Sequence, residues 1–209
     1  MKPLSFLFLL SALTVSCAPH AQAPSPQIVN VYASPATQPW LSELYACAER
    51  TSAVLNVSPD SPEISLRLGE PQGLSTPAYQ IGVDDVLVVV NRQSPLAELN
   101  VEGVRALFAG EGDPSLQVWV YGAGEDVQQI FDQFVMDGRR VSASARLALS
   151  PQGMSDLLNA DANAVGILPR RWRAAETREV FVIPSVPVLA ITPSEPQGVV
   201  REILNCLQN

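Results

Sequence analysis

The chain has a single histidine, His20, and a single lysine, Lys2, and both stand close to its N-terminus. His-dependent triads, His-rich zinc sites and Ser/Lys pairs are thereby excluded from the body of the chain, which leaves carboxylates as its acid–base groups. Positive charge is scarce as well: 13 Lys and Arg against 21 Asp and Glu give a formal net charge of −8. That balance argues against a nucleic-acid partner and against electrostatic docking on anionic lipid. Beyond the N-terminal segment no run approaches the roughly 20 consecutive apolar residues that a membrane helix needs. What is present, 47% hydrophobic and 16% charged residues, is the composition of a packed globular protein.

The N-terminus sets the expected compartment. Lys2 is followed by an apolar run from Leu4 to Leu13, interrupted only by Ser5 and Ser11, and then by small residues leading to Cys17. This is the pattern of a signal peptide. Thr14-Val15-Ser16-Cys17 resembles the bacterial lipobox, whose cysteine is diacylated and becomes the new N-terminus, although leucine stands at position 13, one place early. The alternative is ordinary secretion after Ala21-Gln22-Ala23, with Pro24 following the cut. Residues 1–16 are therefore read as a lipoprotein signal peptide and residues 17–26, Pro-rich, as an extended tether. The protein is expected to be exported and held at the outer face of the cell membrane or in the periplasm, touching the membrane through its acyl chains alone.

With Cys17 assigned to lipid, Cys47 and Cys206 remain as a pair in an oxidising compartment, where a disulfide is expected. It would staple the two chain ends together. The alternative is two buried free thiols.

Along the chain, apolar strands alternate with amphipathic helices. Strands are predicted over 28–32, 54–57, 64–68, 86–90, 117–121, 146–149, 164–168, 180–183 and 187–191. The run at 86–90 is β-branched and leucine throughout, as in a strand buried on both faces. Pro39 opens a helix with Trp40, Leu41, Leu44, Tyr45 and Ala48 as its stripe. Val101 to Phe108 forms a second, stopped by Gly110. Gly122-Ala123-Gly124 turns into a third, with Val127, Ile130, Phe131, Phe134 and Val135 on one face. A short fourth helix turns Met154, Leu157 and Leu158 inward, and the last buries Val200, Ile203, Leu204 and Leu207. The class is α/β.

Three stretches carry a family resemblance. Val88-Val89-Val90-Asn91, then Pro95-Leu96, Leu99, Val101, Val104 and Leu107-Phe108-Ala109-Gly110, is similar to the crossing strand, loop and "L-T-x-x-Q-L-x-x-I-F-x-G" helix of type 2 periplasmic binding proteins of the phosphate-binding branch. Ala162 to Leu168 resembles the "P-x-A-I-G-Y" strand of that branch, and Val118 to Phe131 matches its strand, glycine turn and ligand-facing helix. The resemblance implies a two-lobed fold of mixed sheets flanked by helices over residues 27–209. Lobe 1 would comprise about 27–85 plus 185–209 and lobe 2 about 86–184, with ligand in the cleft between them.

It also implies ligand-binding positions: Ser34 and Thr37 before the first helix, Ser65 and Arg67 at the second strand turn, Tyr121, Gly122, Gly124 and Glu125 at the glycine turn, and Ser150 before the short helix. At that turn the phosphate binders carry Arg and Ser-Gly-Thr, whereas Glu125 and Asp126 stand here. Carboxylates there would cap the helix and repel phosphate. Ser34 and Thr37 have a plainer role too, shaping the turn, as Arg67 has at the surface and Trp119 and Tyr121 in the core. The resulting expectation is a solute-binding lipoprotein of an ABC-type uptake system, taking a small polar solute or oxyanion, with a permease as partner and no cofactor or metal. The alternative is a scaffold or interaction lipoprotein that keeps the fold without ligand. A hydrolase using Glu125 or Asp126 ranks last, because no second catalytic partner accompanies them, so the chain is read as a non-enzyme.

Overall fold

The computed structural model describes residues 26–209, so the expected signal peptide, Cys17 and nearly all of the tether lie outside the described residues. The elements run β1 (Gln27–Ala33), a 3-10 turn (Pro35–Trp40), α1 (Leu41–Arg50), β2 (Ala53–Val57), β3 (Ile64–Leu68), β4 (Ala78–Asn91), α2 (Val101–Phe108), β5 (Gln117–Val120) and α3 (Asp126–Phe131). A π turn (Asp132–Met136) extends α3; then come β6 (Arg146–Leu147), α4 (Pro151–Ala160), β7 (Ala164–Pro169), a 3-10 turn (Arg170–Trp172), β8 (Thr177–Ile191) and α5 (Gly198–Leu207). The sheet is mixed, in the order β2-β1-β3-β8-β4-β7-β5-β6.

Its two halves share the long central pair. β4 and β8 run antiparallel from Ala78↔Ile191 to Asn91↔Thr177, so β8 pairs with β3 at one end while β4 pairs with β7 at the other. The continuous run Val86 to Val90 is fully buried, as expected of a strand covered on both faces. Register irregularities fall at Gln80/Gly82, Asp84/Val86 and Val88/Val89, and Ser185, opposite the second of these, takes a left-handed φ of 57°. Such bulges bend a strand and raise its twist.

Several expectations need correction. β4 begins at Ala78 rather than Val86; its first eight residues mix Gly82, Asp84 and Asp85 with only partly buried apolar positions, which hides their strand pattern. β8 is one strand where two are predicted, because pairing with β4 carries it through Pro184 and Pro187. β6 is only two residues long, and Leu147 and Leu149 are exposed. The regular stripe expected of the third helix holds to Phe131 and then shifts. Asp137 N–H bonds to Asp132 C=O at 3.0 Å, five residues back, and the extra residue in that turn sends Phe134 to solvent while Val135 and Met136 turn inward. On α1, Tyr45 is exposed, while Leu44, Cys47 and Ala48 are buried, as is Trp40 at the end of the preceding 3-10 turn.

The core is continuous through both halves. Phe108 of α2 and Phe131 of α3 meet at 4.5 Å between ring centroids in tilted geometry. In the first half α1 and α5 pack together and are joined by a disulfide between Cys47 and Cys206, whose Cα atoms lie 5.7 Å apart.

Candidate ligand-binding cleft

β3 brings Ser65, Arg67 and the backbone of Leu68 to the junction of the halves. The start of the first helical segment brings Ser34 and Thr37, and the glycine turn brings Gly124, Glu125 and Asp126 from the opposite side. Tyr32, Ser34, Ser65, Arg67, Gly124, Glu125 and Asp126 line a space of about 340 Å³. A larger open groove of about 960 Å³ adjoins it across Arg67 and Pro71, bordered by Tyr121, Gln129, Gln133, Arg139 and Arg140.

Asp126 governs the smaller space. Its carboxylate, 3% exposed, accepts from Ser34 Oγ at 2.6 Å and from Leu68 N–H at 3.0 Å through Oδ2, while Oδ1 accepts from Val127 N–H at 3.0 Å. Thr37 supports this arrangement. Its Oγ1 lies 3.1 Å from Ser34 Oγ and donates toward Leu66 C=O (3.1 Å) and Ser34 C=O (3.2 Å), which fixes the turn around Ser34. An ionised carboxylate only accepts, so the Ser34 proton points at Asp126. Glu125, at the N-cap position, makes no side-chain cap bond.

Arg67 reaches across the junction, its Nη2 donating to Gln129 Oε1 at 2.6 Å. Its Nε is buried and finds no acceptor among the described residues. Gln129 in turn donates to the carbonyls of Ala123 and Gly124, holding the glycine turn. Tyr121 is anchored below it: its N–H donates to Gln128 Oε1 at 3.0 Å and its hydroxyl to Ile167 C=O at 2.8 Å. Burial, followed by the charges of Asp126 and Glu125, holds its phenol well above the ordinary range, so it stays a neutral donor.

Of the predicted positions, Ser34, Thr37, Ser65, Arg67, Gly124, Glu125 and the backbone beside Tyr121 are brought together. Gly122 is exposed with open space around it and borders neither space. Ser150 is likewise absent from both linings; its Oγ caps α4 by accepting from Gly153 N–H at 3.1 Å. Sequence reasoning missed Gln129, Arg139 and Arg140, and a second set of contacts between the halves. Trp172 Nε1 donates to Ala36 C=O at 3.0 Å, and Arg171 pairs with Glu43 at 2.5 Å while lying 3.7 Å over the Trp40 ring. The cluster Arg170-Arg171-Trp172-Arg173, densest in cations along the chain, was the available signal.

No group of three or more His, Cys, Asp or Glu side chains suited to a metal ion occurs among the described residues. Both oxygens of Asp126 accept hydrogen bonds, Oδ2 two and Oδ1 one. None of the described helices is long and apolar enough to cross a membrane.

No family model matches the chain, and no curated protein matches its sequence. Solved structures do match. A protein assigned as a phosphate ABC transporter substrate-binding protein from Clostridium perfringens, with phosphate bound, superposes with TM-score 0.77 at 13% identity, covering 87% of this chain and 93% of that one. An ABC-type phosphate transport receptor from Vibrio cholerae gives 0.64 at 16% identity over the same shares, 87% and 93%. The regulatory domain of CcmR from Synechocystis PCC6803, in complex with 2-PG, gives 0.64 at 11% identity over 87% of this chain and 96% of that one. These neighbours are binding proteins and regulatory domains. Because regulators are among them, the expectation of no nucleic-acid partner rests on charge alone. Two halves joined by a long crossing pair, together with these superpositions, show that the chain has the two-lobed fold of type 2 periplasmic binding proteins.

Proposed function

We propose that this protein is an exported solute-binding lipoprotein, anchored through Cys17, that takes a small polar solute in the groove of about 960 Å³ beside Arg67. The observation that carries the reading is a pair of guanidinium side chains on the groove lining, Arg67 from the first lobe and Arg140 from the second. A guanidinium presents several N–H donors and a fixed positive charge, and a solute carboxylate or hydroxyl would supply acceptors for them. Groups from both lobes border this groove, so a solute there would touch both. The similarity to phosphate-transport receptors supports a solute-binding role, and an ABC permease would be the partner that receives the solute.

The test is thermal unfolding of the mature protein, disulfide intact, against amino acids, dicarboxylates, sugars, polyamines, phosphate and sulfate. Binding to the native state stabilises by RT ln(1 + [L]/Kd), about 2.7 kcal/mol at a hundredfold excess over Kd. A shift with a carboxylated or hydroxylated solute, lost in Arg67→Met, is the expected outcome. A second reading, a scaffold that keeps the fold without ligand, is favoured by the engagement of Asp126 with both lobes, and a panel without any shift would select it.

A further inference from the structure

The donors around Asp126 come from both sides of the junction. Ser34 Oγ and Leu68 N–H belong to the first half, Val127 N–H to the second, and the sequence separations from Asp126 to the first two are 92 and 58 residues. A carboxylate that merely capped its own helix would aim its oxygen at an N–H of the following turn and need no partner elsewhere. Here one oxygen does bond locally, and the other crosses to the opposite lobe. Hydroxyl and backbone N–H donors converging on one point are the chemistry that holds a small oxyanion, and charge-assisted bonds of this kind are the strong ones. We propose that Asp126 is a built-in anion: its carboxylate fills an oxyanion seat formed by Ser34, Leu68 and Val127, excludes tetrahedral oxyanions from it, and latches the lobes together without ligand.

Two features agree. Ile130, one turn along α3, packs on Gly69 at the end of β3, where an added Cβ would come within 2.9 Å of its side chain. Arg67 and Gln129 form a further bridge beside the carboxylate. A free phosphate or sulfate would have to displace a tethered group whose effective concentration is high, and would meet its negative charge on entering. Asp126 is thus a specificity-determining residue, whichever solute occupies the neighbouring groove.

The test uses the mature protein and its Asp126→Gly variant, which removes the carboxylate and leaves its donors. Calorimetry with inorganic phosphate and sulfate should give no binding heat for the wild type, and its Tm should be equal in phosphate and in chloride at matched ionic strength. Asp126→Gly should melt lower in chloride, recover saturably in phosphate, sulfate or formate, and lose that recovery when Ser34→Ala is added. Phosphate bound by the wild type at this junction would overturn the proposal, and so would a folded Asp126→Gly that responds to no anion. Should Asp126→Gly fail to fold, Asp126→Asn keeps the volume and removes the charge. It should lower Tm and enlarge the radius of gyration in X-ray scattering, and no change in either would overturn the latch. A blank solute panel has no bearing on these readouts, so the failure of the groove and the failure of the seat are separable.

Discussion

Asp84 and Asp85 are neighbours in β4 at the bend where the lobes join, and their carboxyls are pushed in opposite directions. Asp84 is buried; its Oδ1 accepts from Asp85 N–H at 2.8 Å, and its Oδ2 has no partner among the described residues. Burial raises its pKa, against smaller lowering by the Asp85 N–H and the Arg171 charge. Asp85 is held low, first by the Ser185 N–H at 2.9 Å and then, past an opposing effect of burial, by Arg170 at 2.8 Å. The signs follow from linkage. The Asp84 contribution is fully present below the unfolded carboxyl value of about 3.9 and is lost as pH rises through its higher folded value, whereas the Asp85 contribution is present above about 3.9 and is lost as pH falls through its lower one. Asp84→Asn should therefore gain on the wild type in urea unfolding as pH rises from about 4 through the raised folded value, and hold that gain above it. A difference independent of pH would refute the assignment. None of this was legible in the sequence, where Asp84-Asp85 reads as a polar interruption; what decides it is which side of the sheet each residue faces.

At the scale of elements, the run 86–90 and the helical stripes were readable because one buried face imposes a period. The first part of β4 and the middle of β8 were not, because partner pairing rather than hydrophobic pattern keeps them extended. The same distinction applies to the cleft. Ser34 and Thr37 could be named because the family pattern marks the loop before the first helix, and Arg67 because it marks the second strand turn. The crossing of Asp126 to Leu68 could not, because the donor that meets the carboxylate is a backbone N–H, which any residue but proline supplies, in a remote segment. Gly82 shows how tightly the crossing strand is held. An added Cβ would lie 2.3 Å from Cη2 of Trp40, an indole that is itself buried and covered by Arg171. Overpacking of this kind costs about 1–3 kcal/mol. Gly82→Ala should lower stability by that amount in urea unfolding, and Trp40→Phe in the same chain should recover part of it by shrinking the ring. A neutral Gly82→Ala would mean that Trp40 has room to move.

For the whole molecule, the first lobe is assembled from both ends of the chain: β1 to β3 with α1 from the beginning, the end of β8 with α5 from the close. Such a lobe loses α5 by fraying unless something ties it to the rest, and the Cys47–Cys206 bond, spanning a sequence separation of 159, does so. Closing a loop of that length constrains the unfolded chain by about 5 kcal/mol in the chain-entropy model. The second lobe lies wholly inside that loop, so the bond stabilises both lobes against global unfolding but protects only the first against local opening. Replacing both cysteines with serine should lower the urea-derived stability by up to about 5 kcal/mol. In hydrogen exchange α5 and the outward face of α1 should lose protection first, with the β4–β8 pair retaining it until global unfolding. Equal loss of protection in α5 and α4 would show instead that the two lobes open as one unit, with the contacts of Asp126, Arg171 and Trp172 rather than the disulfide setting the cooperativity.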